Sequence, residues 1–251
     1  METTLTIDRG NTAVKAHIFR NGECVAATRV ESEEELRRWL DSLDGTLRPR
    51  KAIYSSVTGG SLSFPVLTGR CRVLTLTHST PLPLEIGYST PATLGLDRIA
   101  AAAGASMLLC TEPHPTFALV ADAGTALTID LVDSSPAFLG GNISPGLRMR
   151  LQALHEHTGA LPEVSPDGSV EEFGRSTDSA IRSGCLLGMA AEIERAYTRA
   201  KAVRGAGMLI LTGGDAELLL PSLDSNLPLR LLPTLVAQGL NSILNYNEDI
   251  P

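Results

Sequence analysis

The sequence is sparing with cysteine, with basic clusters and with long apolar runs, and each shortage removes a class of protein. Its four cysteines, Cys24, Cys71, Cys110 and Cys185, lie far apart and never form a Cys-x-x-Cys pair. That spacing argues against a disulfide framework and a zinc site, and favours reduced thiols in the core. His155 and His157, in "HEH", are two residues apart, so on a helix their rings diverge and make no metal pair. No apolar run approaches the roughly 20 residues of a membrane span, and the N-terminus has no basic stretch followed by an apolar signal region. A cytoplasmic protein with no membrane partner is expected. With 21 Lys and Arg against 28 Asp and Glu, the formal charge is -7. "RPRK" (48–51) and "RCR" (70–72) are too short to track a phosphate backbone, so no nucleic-acid partner is expected. Neither GxxxxGK[ST] nor GxGxxG occurs at a strand–helix junction, which removes the main support for P-loop and Rossmann readings.

What is present suffices for a substantial core: 251 residues, 43% of them apolar and 20% charged. The chain opens with "LTIDRGNTAVKAHIFRNGE" (5–23), an apolar strand ending at Asp8, a turn with Gly10, Asn11 and Thr12, and an alternating strand closed by Asn21-Gly22. Residues 5–30 read as three short strands. "ESEEELRRWLDSL" (31–43) reads as an amphipathic helix with Ser32 and Glu35 at capping-box spacing and an apolar face of Leu36, Trp39, Leu40 and Leu43. Strands follow at 51–57 and 73–77, then a helix at 97–110, and the proline-bearing "CTEPHPT" (110–116) marks a domain boundary.

The pattern then restarts. "FALVADAGTALTIDLVDSS" (117–135) is again an apolar strand ending in Asp122, a turn with Gly124 and Thr125, and an alternating strand. A strand at 137–141, a helix from about 146, a long helix at about 177–203, a strand at 207–214 and helices near 215–220 and 234–245 complete the chain. A repeated βββαβα-like unit implies two similar α/β domains facing each other across a central cleft, 1–114 and 115–251.

A glycine-centred hairpin turn brings backbone N–H groups close to a ligand, Thr and Asn add donors for phosphate oxygens, and the strand-end Asp can hold a cation. Two such turns suit the polyphosphate tail of ATP with Mg²⁺. Asp and Gly also simply make good turns, but two of them at matching places after apolar strands count for more than either alone. Lys15 could reach a phosphate or sit on the solvent face of its strand. In "YSTPATLGLDRIAAAAGA" (88–105), Tyr88, Gly95, Asp97 and Arg98 cluster at a helix start. Asp97 could serve only as a helix cap; with the ring, the glycine and the arginine it also suits a small polar substrate bearing a hydroxyl and a carboxylate.

Taken in order, "DRGNTAVK", "YSTPATLGLDR", "DAGTALTID", "GGNISPG", "STDSAIRSG" and "LTGGDA" resemble the signature of the type III pantothenate kinases. That family belongs to the acetate/sugar-kinase, Hsp70 and actin superfamily. The resemblance runs from residue 5 to about 215, with a family-like "PTLVAQGLNS" near the C-terminus. It implies two duplicated actin-like (ribonuclease H-like) domains and phosphorylation of pantothenate by ATP, the first step of coenzyme A synthesis; the alternatives are a same-fold kinase for another small hydroxyl substrate and a non-catalytic regulatory homologue. It further implies a homodimer and a monovalent cation, K⁺ or NH₄⁺, beside Mg²⁺. Carried over by position, Asp8, Arg9, Gly10, Asn11, Thr12, Ala13, Val14 and Lys15 match the first phosphate segment, and Thr125 an ATP contact. Tyr88, Gly95, Leu96, Asp97 and Arg98 match the pantothenate site, with Asp97 as catalytic base. Thr177 matches a substrate contact near the dimer interface, and Asp122 the ligand of the monovalent cation. "GGNISPG" would line the cleft, and Gly213-Gly214 would lie against the adenosine. Arg9 departs from the family, where this position is apolar or small. The apolar stripe Ile181, Cys185, Met189 and Ile193 of the long helix suits either a dimer interface or a core.

Overall fold

A computed structural model describes residues 3–10, 13–56, 67, 69–111 and 115–247. They form two compact units: residues 1–107 with 234–251, and residues 108–233.

Unit 1 begins with β1 (Thr3–Arg9), β2 (Val14–Arg20) and β3 (Glu23–Val30). The β2–β3 turn is the Asn21-Gly22 pair, with φ of 52° and 83°, the left-handed values that let a two-residue hairpin follow the strand twist. Helix α1 (Glu33–Ser42) is capped by Ser32, whose side chain accepts from the N–H of Glu35. The Glu35 carboxylate accepts from the N–H of Glu31 at 3.0 Å, one residue before the cap, so the expected capping box is displaced by one position. Then come β4 (Lys51–Ser56), β5 (Arg72–Thr75), the short β6 (Glu85–Ile86) and α2 (Leu96–Thr111). The sheet order is β3-β2-β1-β4-β5. Strand β1 runs antiparallel to β2 and parallel to β4. Leu5, Ile7, Ala16, Ile18, Ala52 and Tyr54 form one face, buried against Leu36 and Leu40 of α1.

Unit 2 repeats the plan with β7 (Phe117–Ala123), β8 (Ala126–Asp133), β9 (Ala137–Pro145), α3 (Leu147–Glu156), α4 (Thr177–Arg204), β10 (Gly207–Thr212), α5 (Ala216–Leu219) and β11 (Leu229–Leu231). Its strands run β9-β8-β7-β10-β11, the order of unit 1. Strand β7 is again antiparallel to the next strand and parallel to the fourth, β10. The odd-numbered face of β7 packs on α3, α4 and α5. Ile181, Cys185, Met189 and Ile193 are all buried there, so the helical stripe belongs to this core and is not free to form a dimer interface. Ser176 caps α4 in a reciprocal capping box with Ser179.

The last helix, α6 (Leu235–Tyr246), follows unit 2 in sequence but packs on β1, β2 and β4 of unit 1. It meets α2 at backbone distance: a Cβ on Gly239 would collide with the Ala100 carbonyl, and one on Gly104 would lie 2.7 Å from the Leu235 carbonyl. Asn241 accepts a hydrogen bond from the Thr4 hydroxyl at 2.6 Å. The expected division at 114/115 therefore differs from the observed one: unit 2 begins in the last turn of α2, and residues from 234 onward rejoin unit 1. All four cysteines are free, but only Cys185 is buried; Cys24 and Cys110 are exposed, contrary to the expectation of core thiols.

Candidate active site

The first bend places Asp8 at the end of β1, directly opposite Lys15 on β2 and Ser55 on β4. Residues opposite each other across a sheet share a face, so the three side chains lie on the face away from α1. Burial pushes the Asp8 carboxyl up to about 6; the Asp97 charge pushes the same way, and Lys15 opposes it. Asp97, on α2 of the same unit, is thus an electrostatic neighbour of Asp8, and the two acids named from separate motifs are brought together. Gly10 closes the bend by donating its N–H to the Ala13 carbonyl at 3.0 Å. Asn11 and Thr12 lie outside the described residues. Val14 is buried in the α1 core, so only its backbone can face a ligand. Arg9 pairs with Val14 and Ser56, which puts it on the α1 face, opposite to Asp8.

Leu96 opens α2 and Asp97 sits in its first turn. The Asp97 carboxylate accepts from the N–H of Arg98 at 2.8 Å, while the Gly95 carbonyl takes the N–H of Ile99. A Cβ on Gly95 would collide with Asp97 Oδ1, so glycine is what lets this carboxylate fold back over the helix start. Arg98 is buried, its guanidinium 5.7 Å from the centre of the Tyr88 ring, a cation–π contact. Tyr88, Gly95, Leu96, Asp97 and Arg98 therefore form one group.

In unit 2 the second bend is built from backbone. Asp122, at the end of β7, faces Thr128 on β8 and Thr212 on β10. Gly124 donates to Ala126 at 3.1 Å, and the exposed Thr125 presents its carbonyl to the N–H of Gly146 at 3.2 Å. A side chain on Gly146 would collide with the carbonyls of Gly124 and Thr125. Gly213, at φ 102°, lies against the Ala123 backbone and the Asp122 carboxylate, and the N–H of Asp215 donates to the Ala123 carbonyl at 2.9 Å. The glycines of "GGNISPG" and "LTGGDA" thus include two that shape this bend, whereas Gly214 faces open space. Arg148 and Asp215, joined at 3.1 Å, also stand here and were not singled out by sequence. Thr177 is the exposed first residue of α4.

Among the described residues no three His, Cys, Asp or Glu side chains cluster as a metal centre, and no helix is long and apolar enough to cross a membrane. A cavity of about 400 Å³ lined by Leu40, Arg48, Leu67, Arg70 and Cys71 contains none of the predicted site residues.

The sequence model described as type III pantothenate kinase matches residues 4–199. A type III pantothenate kinase of Porphyromonas gingivalis is 39% identical over 252 residues, covering 98% of this chain and all of the relative. This chain belongs to the type III pantothenate kinase family. A second member, from Phocaeicola vulgatus, is 38% identical over 98% of this chain and 99% of its own length. Among solved structures, component A of the (R)-2-hydroxyglutaryl-CoA dehydratase of Acidaminococcus fermentans aligns at a TM-score of 0.55 and 14% identity. It covers 98% of this chain and 97% of that one, a likeness of fold alone. The duplicated unit expected from the sequence is seen as the common strand order of the two sheets.

Proposed function

We propose that this protein phosphorylates the primary hydroxyl of pantothenate with ATP, yielding 4'-phosphopantothenate for coenzyme A synthesis. The observation that carries the reading is the convergence of Asp8 and Asp97, joined by Lys15, in one unit of a family member. Phosphoryl transfer needs positioning and charge stabilisation more than covalent help from the protein. Asp97 accepts a hydrogen bond from the substrate hydroxyl and takes its proton as the oxygen–phosphorus bond forms. The pair of Tyr88 and Arg98 orients the substrate, the guanidinium answering its carboxylate. Gly10 and Lys15, with Asn11 and Thr12, would hold the phosphate tail, and Thr125 would be an ATP contact.

A cation fits the first bend because Asp8 is a hard oxygen donor whose charge is held at a cost by burial and by Asp97. Mg²⁺ carried by ATP would be held by Asp8 and would neutralise charge on the β- and γ-phosphates. Asp122, a carboxylate at the second bend, would hold K⁺ or NH₄⁺. Thr177 would contact pantothenate, and the protein would work as a homodimer in the cytoplasm. The test is to incubate the purified protein with ATP, Mg²⁺, K⁺ and pantothenate and to seek 4'-phosphopantothenate by mass spectrometry. Its absence under conditions where ATP binds would overturn the assignment.

A further inference from the structure

The face of the first sheet beneath Asp8 carries an unusual concentration of buried polar atoms. Thr6 Oγ1, Asp8 Oδ1, His17 Nδ1 and Ser55 Oγ are all buried with no hydrogen-bond partner. Thr6 is 1% exposed and Ser55 0%. Register gathers them in two adjacent rows: His17 faces Thr6, and Lys15, Asp8 and Ser55 face one another in the next row. One row further back the Thr4 hydroxyl is satisfied by Asn241 of α6, so the helix serves that end of the stripe and not the rest. A buried polar atom without a partner costs roughly 1–3 kcal/mol. Four together would consume much of the roughly 5–15 kcal/mol by which a domain is stable. Such groups are partnered in folded proteins, by water where protein cannot serve. Strand β1 is flanked on both sides, so its backbone groups already serve the two ladders.

Unit 2 shows that this stripe is not demanded by the fold. There the row beneath Asp122 is Asp130, Val120 and Ile210, so an apolar valine stands where unit 1 has Thr6. We propose that Thr6, His17 and Ser55 enclose ordered water that donates to Asp8 Oδ1, making them positioning residues that fix the Asp8 carboxylate for the ATP-bound cation. The water is the partner these side chains lack, and its hydrogen bond to the carboxylate holds one oxygen inward. His17 suits the role because burial and Lys15 lower its pKa to about 4, leaving a neutral ring at working pH. The inference rests on the role proposed for Asp8 and does not depend on which alcohol is phosphorylated.

The test is an experimental structure fine enough to show bound water, joined to calorimetry with ATP and Mg²⁺. Water within hydrogen-bond distance of Thr6 Oγ1 and Asp8 Oδ1 is expected in the wild type. Thr6→Val, which copies unit 2 and keeps the shape, is expected to lose that water and weaken ATP·Mg²⁺ binding about tenfold, with the melting temperature unchanged or raised. Ser55→Ala is expected to weaken binding in the same direction, while Thr6→Ser restores water and affinity. A dry stripe in the wild type, or wild-type affinity in folded Thr6→Val, overturns the proposal. Because the readouts are density and nucleotide affinity, failure to phosphorylate pantothenate would overturn the functional assignment and leave this one standing.

Discussion

The two units share strand order, strand direction and an Asp-x-Gly bend at the end of the first strand, yet they hold that bend differently. In unit 1 the aspartate sits over buried hydroxyls and a histidine, facing Lys15 and near a second acid. In unit 2 the bend is clasped by main chain, with Gly146 and Gly213 pressed against it where no side chain fits. The last paired residues leave 10–13 in the first bend and 124–126 in the second, so the second is one residue tighter. The same scaffold thus offers charge tuned by its surroundings on one side and rigid backbone geometry on the other.

That contrast predicts which kind of damage each unit suffers. The largest effect is expected for Asp97→Asn, which keeps the shape but cannot take a proton: kcat should fall on the order of 10²-fold or more with little change in KM. Steady-state kinetics that match the wild type would remove Asp97 from the chemistry. Next, Gly213→Ala should cost roughly 2–4 kcal/mol through left-handed strain and collision with Ala123, seen as a lowered melting temperature. Equal stability would mean the second bend is not clasped as described.

Asp8→Asn should act the other way on stability. The folded state holds the Asp8 proton up to about pH 6, against 3.8 when unperturbed, so this carboxyl favours folding below about pH 4 and loses that contribution as pH rises through 6. The variant should therefore be more stable than the wild type at pH 7.5, on the order of 2 kcal/mol by urea unfolding, with the gap closing towards pH 4. A constant gap across that range would place the origin elsewhere. The smallest stability change is expected for Gly10→Ala, whose Cβ would meet nothing closer than the Ala13 carbonyl at 3.6 Å. Its melting temperature should stay near that of the wild type while KM for ATP rises, the reverse of Gly213→Ala.

Much of this was legible because local chemistry and global fold agree at particular places. Ser32 announces α1, Asn21-Gly22 fixes the hairpin, and Asp8 and Asp122 stand after matched apolar strands. What escaped is long-range. Periodicity made the α4 stripe apolar but could not say whether Ile181 to Ile193 meet a core or a partner, and the core took them. Leu229–Leu231 lies among prolines and leucines, without the alternation that betrays a half-buried strand, and it was missed. The collision partners of Gly146 and Gly239 come from distant segments, which no single stretch of sequence displays. The hydroxyls of Thr4 and Thr6 were visible in "TTLTID", but only register shows that Ser55 and His17 join them.

The return of α6 to the first sheet has a consequence for synthesis on the ribosome. Residues 108–233 are contiguous and can complete their unit while the chain is still growing, whereas the first unit waits for residues 234–251. Until then the strand face that bears Thr4 lacks α6, the helix that packs on β1, β2 and β4. Of the two units, the one begun earlier is therefore completed later, and a nascent chain stalled before residue 234 would expose the sheet face that carries Thr4, Thr6 and Asp8.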